Sequence, residues 1–317
     1  MKGIRRMLKK RGSNEDRSAA PEDGLKSEDS GDSSAVSEKQ NGVTSVLDGV
    51  TRPLPLDEGP TLFSQHLMFA QASDVGIARQ INQDSALSFF ATLSSVENRP
   101  DFGIFIIADG MGGHHDGERA SAVAARIVML ELLRHVYMML MIDADDRPPV
   151  TEAISNAILR ANSEVITQVP EGGTTLTTVV IVGDLAYIGH VGDSRAYLFH
   201  RGIPEQLTRD HSYVQRLFEL GQLDQAEVDN HLQKNVLYKA LGQPDLSEIE
   251  VVTRRLPANS TLLLCCDGLW GQVRDHEITQ ILNSHPDLQT ACAELIAAAN
   301  RAGGIDNVSA IIVRIPG

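Results

Sequence analysis

The sequence predicts an α+β layered sandwich, and three observations carry that expectation. Apolar runs too short for helices end at Asp-Gly turns. Two stretches with helical spacing come together ahead of a run of hairpin-linked strands. A second pair of helices and a closing strand then follow. Strands and helices arriving in blocks argue against a regularly alternating βαβ chain, and no internal repeat is visible.

Residues 1–60 read as a disordered arm. Ser, Glu, Asp, Gly and Lys dominate residues 11–41, aromatic side chains are absent and no apolar period develops. Its basic start (Lys2, Arg5, Arg6, Lys9, Lys10, Arg11) reads first as a solvated tail, with an anionic partner or membrane surface as the alternative. Residues 61–317 then form one folded domain. Residues 102–108 are a continuous apolar run, hence a buried strand. Residues 117–140 show helical spacing through Ala120, Val123, Ala124, Ile127, Leu130 and Leu133, and 150–169 form a second helix after Pro148-Pro149. Three strands follow at 175–182, 185–191 and 195–200, turning at Gly183-Asp184 and Gly192-Asp193. Another buried strand covers 262–266. Helices start at Asp275, a candidate N-cap, and near Asp287, and 307–315 close the chain as a strand.

The chain has 317 residues, of which 42% are hydrophobic, enough for a sizeable core. With 28 Lys+Arg against 42 Asp+Glu the net charge is −14, which argues against a phosphate-backbone binder. At 4% aromatic content a stacking platform for single strands is excluded as well. Three cysteines, two of them adjacent, cannot make a disulfide framework and favour a reducing compartment. No apolar stretch approaches a membrane span and no secretory signal is visible, so a cytoplasmic protein without nucleic-acid partners is expected.

Acidic dipeptides sit where apolar strands end: Asp109-Gly110, Asp267-Gly268 and Asp306-Asn307, with Asp193 in a fourth turn. Asp-Gly is first of all a hairpin signal. No matching strand follows Gly110 or Gly268, however; helices do. Carboxylates converging on one rim of a sheet repel unless a cation lies between them, and hard divalent ions take such oxygen ligands. A two-metal centre of this kind suits in-line displacement at phosphorus. Arg79, upstream, could clamp a phosphate with its planar fork.

In order, these pieces resemble the metal-dependent Ser/Thr protein phosphatases, the PPM or type 2C family, in their bacterial form. The resemblance runs from about Asp74 to Val313. It rests on Ser-Asp-x-Gly-x-x-Arg-x-x-Asn-x-Asp at 73–84, Asp-Gly-Met-Gly-Gly-His at 109–114 and Gly-Glu-x-Ala-Ser at 117–121. Gly-Thr-Thr at 173–175, Val-Gly-Asp-Ser-Arg at 191–195, Leu-Thr-x-Asp-His-Ser at 207–212 and Ala-Leu-Gly at 240–242 continue it. Cys-Asp-Gly-Leu-Trp at 266–270 and Asp-Asn-Val-Ser at 306–309 complete the series.

The resemblance implies a four-layer α-β-β-α sandwich, two antiparallel sheets flanked by helix pairs, with two Mn2+ or Mg2+ ions at one edge. It implies that Asp109 bridges the metals, that the Gly110 carbonyl binds one, and that Asp267 and Asp306 hold the other. Asp84 would orient metal-bound water. Asp193, with Asp267, would hold a third, weaker ion. Arg79 would bind the phosphate, and a metal-bridging hydroxide would attack phosphorus with no phosphoenzyme. Residues 203–247 would be a flap beside the site, with a gating or specificity role. Implied substrates are phosphoserine and phosphothreonine in proteins, targets of a Ser/Thr kinase, hydrolysed by a monomer.

Two departures stand out. Gln83 occupies a position where the family usually has Glu, and an amide offers one acceptor where a carboxylate offers two, so weaker metal retention is expected. Met111 stands where many eukaryotic members carry a candidate acid His, which leaves a water to protonate the leaving alkoxide; His114 is expected to make a structural hydrogen bond. A thiol phosphatase is excluded, because Gly271, Gln272 and Ala298 stand six residues after the cysteines, where Arg is needed. The remaining alternatives are a catalytically weak relative that binds a kinase or phosphoprotein, and an anti-sigma-antagonist phosphatase. The first should have lost metal positions, yet Asp84, Asp109, Asp267 and Asp306 are all present.

Overall fold

The computed structural model describes residues 65–317 apart from 94–98, 114, 143–145, 225–226, 229–230 and 247–248. The arm expected over residues 1–60 and the role expected of His114 lie outside the described residues.

Two strands open the fold, β1 (Met68–Asp74) and β2 (Asp84–Ala91), followed by the long β3 (Phe102–Met111). Helix α1 (Asp116–Leu132) carries Asp116 and Glu118 in its first turn, where carboxylates complement the helix dipole. It widens into a π-helical turn, Leu133–Tyr137, and continues as α2 (Met138–Met141), so the single helix expected over 117–140 is interrupted. At that turn the Tyr137 ring packs 5.2 Å from Phe89 and 5.1 Å from Phe102. Helix α3 (Val150–Gln168) leads to β4 (Gly173–Thr174), β5 (Leu176–Val182), β6 (Leu185–Val191), β7 (Arg195–His200) and β8 (Ile203–Gln206).

The expected flap contains α4 (Tyr213–Glu219), capped by Ser212, whose Oγ accepts the Gln215 N–H. Then come β9 (Val251–Arg255), β10 (Thr261–Cys265), the one-turn α5 (Asp267–Trp270), α6 (Asp275–Ser284), α7 (Leu288–Arg301) and β11 (Val308–Arg314). Asp287 caps α7 by accepting the Thr290 N–H at 2.7 Å. Asp275 is not a cap: it is the first helical residue of α6, and Arg274 holds the cap position.

The strands make two antiparallel sheets, ordered β1-β11-β10-β7-β8 and β2-β3-β5-β6-β9, with β4 on the end of β3. Alternating side chains of the central strands reach different cores. On β3, Ile104 and Ile106 pack beneath α1 and α3, while Phe105 and Ile107 face the other sheet. On β10, Leu263 and Cys265 pack under α6 and α7, while Leu262 and Leu264 face inward. Three cores therefore separate four layers, α-β-β-α. Burial on both faces is also why these strands read as continuous apolar runs.

Candidate metal centre

The acidic turns meet at one rim of the sandwich. Asp84 opens β2 directly opposite Asp109 in the β2–β3 register. Asp267 starts α5 immediately after β10, and Asp306 precedes β11, the neighbour of β10. Asp193, buried at 6% exposure, lies in the β6–β7 turn. Backbone bonds hold these ends tightly. Asp109 N–H donates to Thr175 Oγ1 at 2.9 Å, and its carbonyl accepts from Thr175 N–H at 2.8 Å and from Thr174 Oγ1 at 2.9 Å. Gly268 needs to be glycine, since a Cβ there would sit 1.9 Å from the Asn307 carbonyl oxygen. That approach brings the Asp267 and Asp306 turns side by side.

Removal from water pushes the four carboxylates Asp84, Asp109, Asp193 and Asp267 above the usual carboxylate range, and their mutual repulsion adds to it. Asp84 is pushed up to about 7, against hydrogen bonds that favour its charged form. One of those comes from Ser309 Oγ, 2.7 Å from Asp84 Oδ2. Asp84 Oδ1 and Asp267 Oδ1 are buried with no partner among the described residues. Orphaned, mutually repelling oxygens are a donor set that fits a hard divalent cation.

Arg79 stands at the mouth. Its Nη2 donates to Asp306 Oδ2 at 2.7 Å, and the side chain is 52% exposed. A guanidinium carries five N–H donors, so most of its fork stays open to an anion. The structure thus brings Arg79 and the expected ligand Asp306 into direct contact, which the sequence does not indicate. Gly76, at φ +79°, lets this loop pass where a Cβ would lie 2.2 Å from the Asp306 carbonyl oxygen. Gln83 points Nε2 at the Gly112 carbonyl, 3.5 Å away. His115 faces Glu118 at 3.0 Å on the surface.

Sequence reasoning missed the residues that lock this geometry. Asn307 Nδ2 donates to the carbonyls of Val75 and Ile81, both at 2.9 Å, and its Oδ1 accepts the Gln83 N–H at 2.8 Å. Arg195 forks onto Asp210 (2.7–3.2 Å) in the segment between β8 and α4, donates to Tyr197 Oη at 2.7 Å and stacks 3.5 Å over Trp270. Trp270 Nε1 in turn donates to the Asp193 carbonyl at 3.0 Å. Arg195 and Trp270 lie within the motifs at 191–195 and 266–270, but the contacts from Trp270 back to Arg195 and to Asp193, the latter 77 residues away, do not show in the spacing.

The sequence profile of the protein phosphatase 2C family matches residues 78–304. The chain belongs to that family. Solved serine/threonine phosphatases share the fold: the catalytic domain of the serine/threonine protein phosphatase PstP in complex with two manganese ions superposes with TM-score 0.63 at 30% identity, over 79% of this chain and 99% of that one. Staphylococcus aureus Stp1 gives 0.67 at 27% identity, over 83% and 100%. The serine/threonine phosphatase stp of Listeria monocytogenes is 33% identical over 244 residues, 76% of this chain and 93% of the relative. As a protein phosphatase 2C, the chain is a serine/threonine phosphatase dependent on manganese or magnesium.

Proposed function

We propose that Asp109, the Gly110 carbonyl, Asp267 and Asp306 hold two divalent cations, with Asp193 and Asp267 offering a third, weaker position. The convergence of five carboxylates from separate turns, two with orphaned buried oxygens, supports this reading. When bound, the ions supply Lewis-acid polarisation of the phosphoryl group and activate water for in-line attack. Arg79 swings its open donors to the phosphoryl oxygens and orients them. Asp84, held by Ser309, orients the attacking water. Met111 cannot donate a proton, so the leaving alkoxide takes one from solvent.

Substrates on this reading are proteins bearing phosphoserine or phosphothreonine, placed there by a Ser/Thr kinase. The chain works as a monomer in the cytoplasm; three free, buried cysteines fit a reducing compartment. No helix of the described residues is long and apolar enough to cross a membrane. A silent binding relative would have a broken carboxylate set, and none is missing. The test is hydrolysis of p-nitrophenyl phosphate and a phosphothreonine peptide after EDTA treatment and again with added manganese. Activity should vanish and return, and Asp109→Asn should remove nearly all turnover. Indifference to EDTA would overturn the metal reading.

A further inference from the structure

Directly beneath the carboxylates lies a sulfur that the phosphatase reaction does not use. Cys266 follows β10, is fully buried and faces the core between the sheets. Its Sγ accepts the Ser309 N–H at 3.1 Å and donates to the Asn307 carbonyl at 3.4 Å. One carboxylate oxygen each of Asp84 and Asp109, together with this Sγ, all lie within 4.8 Å of one another. Asp84 adds the buried oxygen that has no partner among the described residues.

An oxygen-only set suits manganese and magnesium, whereas a thiolate beside two carboxylates suits softer ions. Ligand bonds of about 2.0–2.3 Å put donors on a tetrahedral ion roughly 3.5 Å apart, so the triad, whose donor atoms lie within 4.8 Å of one another, would close onto one ion by drawing together. We propose that Asp84, Asp109 and Cys266 form a site for a thiophilic divalent cation such as zinc, whose occupation excludes the activating metals and stalls the phosphatase. On binding, the Sγ–metal bond forms as the Sγ–H proton leaves to solvent, and the hydrogen bond to the Asn307 carbonyl is lost. Water fills the remaining position. The inference rests on the reading of Asp109 as a metal-centre residue.

Cobalt tests it in the full chain, because a cobalt–thiolate bond gives an intense near-ultraviolet charge-transfer band that carboxylates do not. EDTA-stripped protein titrated with Co2+ should develop the band. Cys266→Ser should lose it, and Cys265→Ser, altered in the other core, should keep it. Zinc should inhibit the manganese-supported wild type at a concentration about tenfold lower than it inhibits Cys266→Ser, the usual scale of a lost metal contact. A wild-type cobalt spectrum without the band overturns the proposal with no variant needed, as does a band that survives in Cys266→Ser. If Cys266→Ser fails to fold, Cys266→Ala replaces it. Wild type that binds manganese and hydrolyses substrate but shows no band defeats this inference alone. Wild type that binds neither manganese nor cobalt defeats the proposed function.

Discussion

The two polar atoms of the Asn307 side chain make three bonds to the loop that carries Arg79, Nδ2 to the Val75 and Ile81 carbonyls and Oδ1 to the Gln83 N–H. Asn307→Ala would remove three bonds and leave half-buried carbonyls without their partner, at about 2–4 kcal/mol. The urea midpoint should fall accordingly, and kcat/KM should fall with it because Arg79 loses its fixed position. Gln83→Glu works in the opposite sense. A second carboxylate oxygen at the rim should lower the manganese concentration for half-activity by about tenfold, and an unchanged metal titration would contradict this account. The aspartates were legible because an acid ending an apolar strand is conspicuous. Asn307 and Ser309 were not, because their worth lies in partners more than 220 residues away, as with Ser309 and Asp84 at a separation of 225.

Arg195 shows how elements are held around the centre. One guanidinium ties Asp210, between β8 and α4, to α5 through Trp270, and Trp270 reaches the Asp193 turn. Arg195→Lys keeps the charge but loses the fork and the stacking face, which should cost about 1–3 kcal/mol. Limited proteolysis should then cut between β8 and β9 sooner than in the wild type. The chain ahead of β9 is anchored separately: Asn162 of α3 accepts the Gly242 N–H at 2.7 Å and donates to the Gln243 carbonyl at 2.9 Å. Strands β3, β10 and β11 were readable because both of their faces are buried. Strands β2 and β9 were not read as strands: every residue is half-buried, so neither an apolar run nor clean alternation marks them. The π-helical turn left no pattern in the sequence, since helical spacing continues across it.

The whole molecule carries two opposing pH dependences. His190 and His211, stacked with centroids 5.0 Å apart, are lowered by burial to about 4 and about 3. Their contribution is complete above the ordinary histidine value of 6.5 and is lost as pH falls towards about 4. The carboxylate cluster runs the other way. With folded values above 3.8, its contribution is complete below that value and is lost as pH rises, for Asp84 through about 7. EDTA-treated protein should therefore melt at lower temperature both in acid and in base. Manganese should raise the melting temperature more at about pH 8 than at about pH 5, because cations replace protons that the cluster otherwise keeps. Equal gains at both would refute the linkage.

The rim also has a history in time. Its donors come from β2, near the start of the fold, through to the turn before β11, the last strand of the chain, which lies between β1 and β10. Such long-range closure is slow and comes late in folding. A half-built sandwich has strands and helices but no place for a cation. With the metals held as proposed, uptake would certify that both sheets are complete and docked, and such a phosphatase would not begin dephosphorylating before it has finished folding.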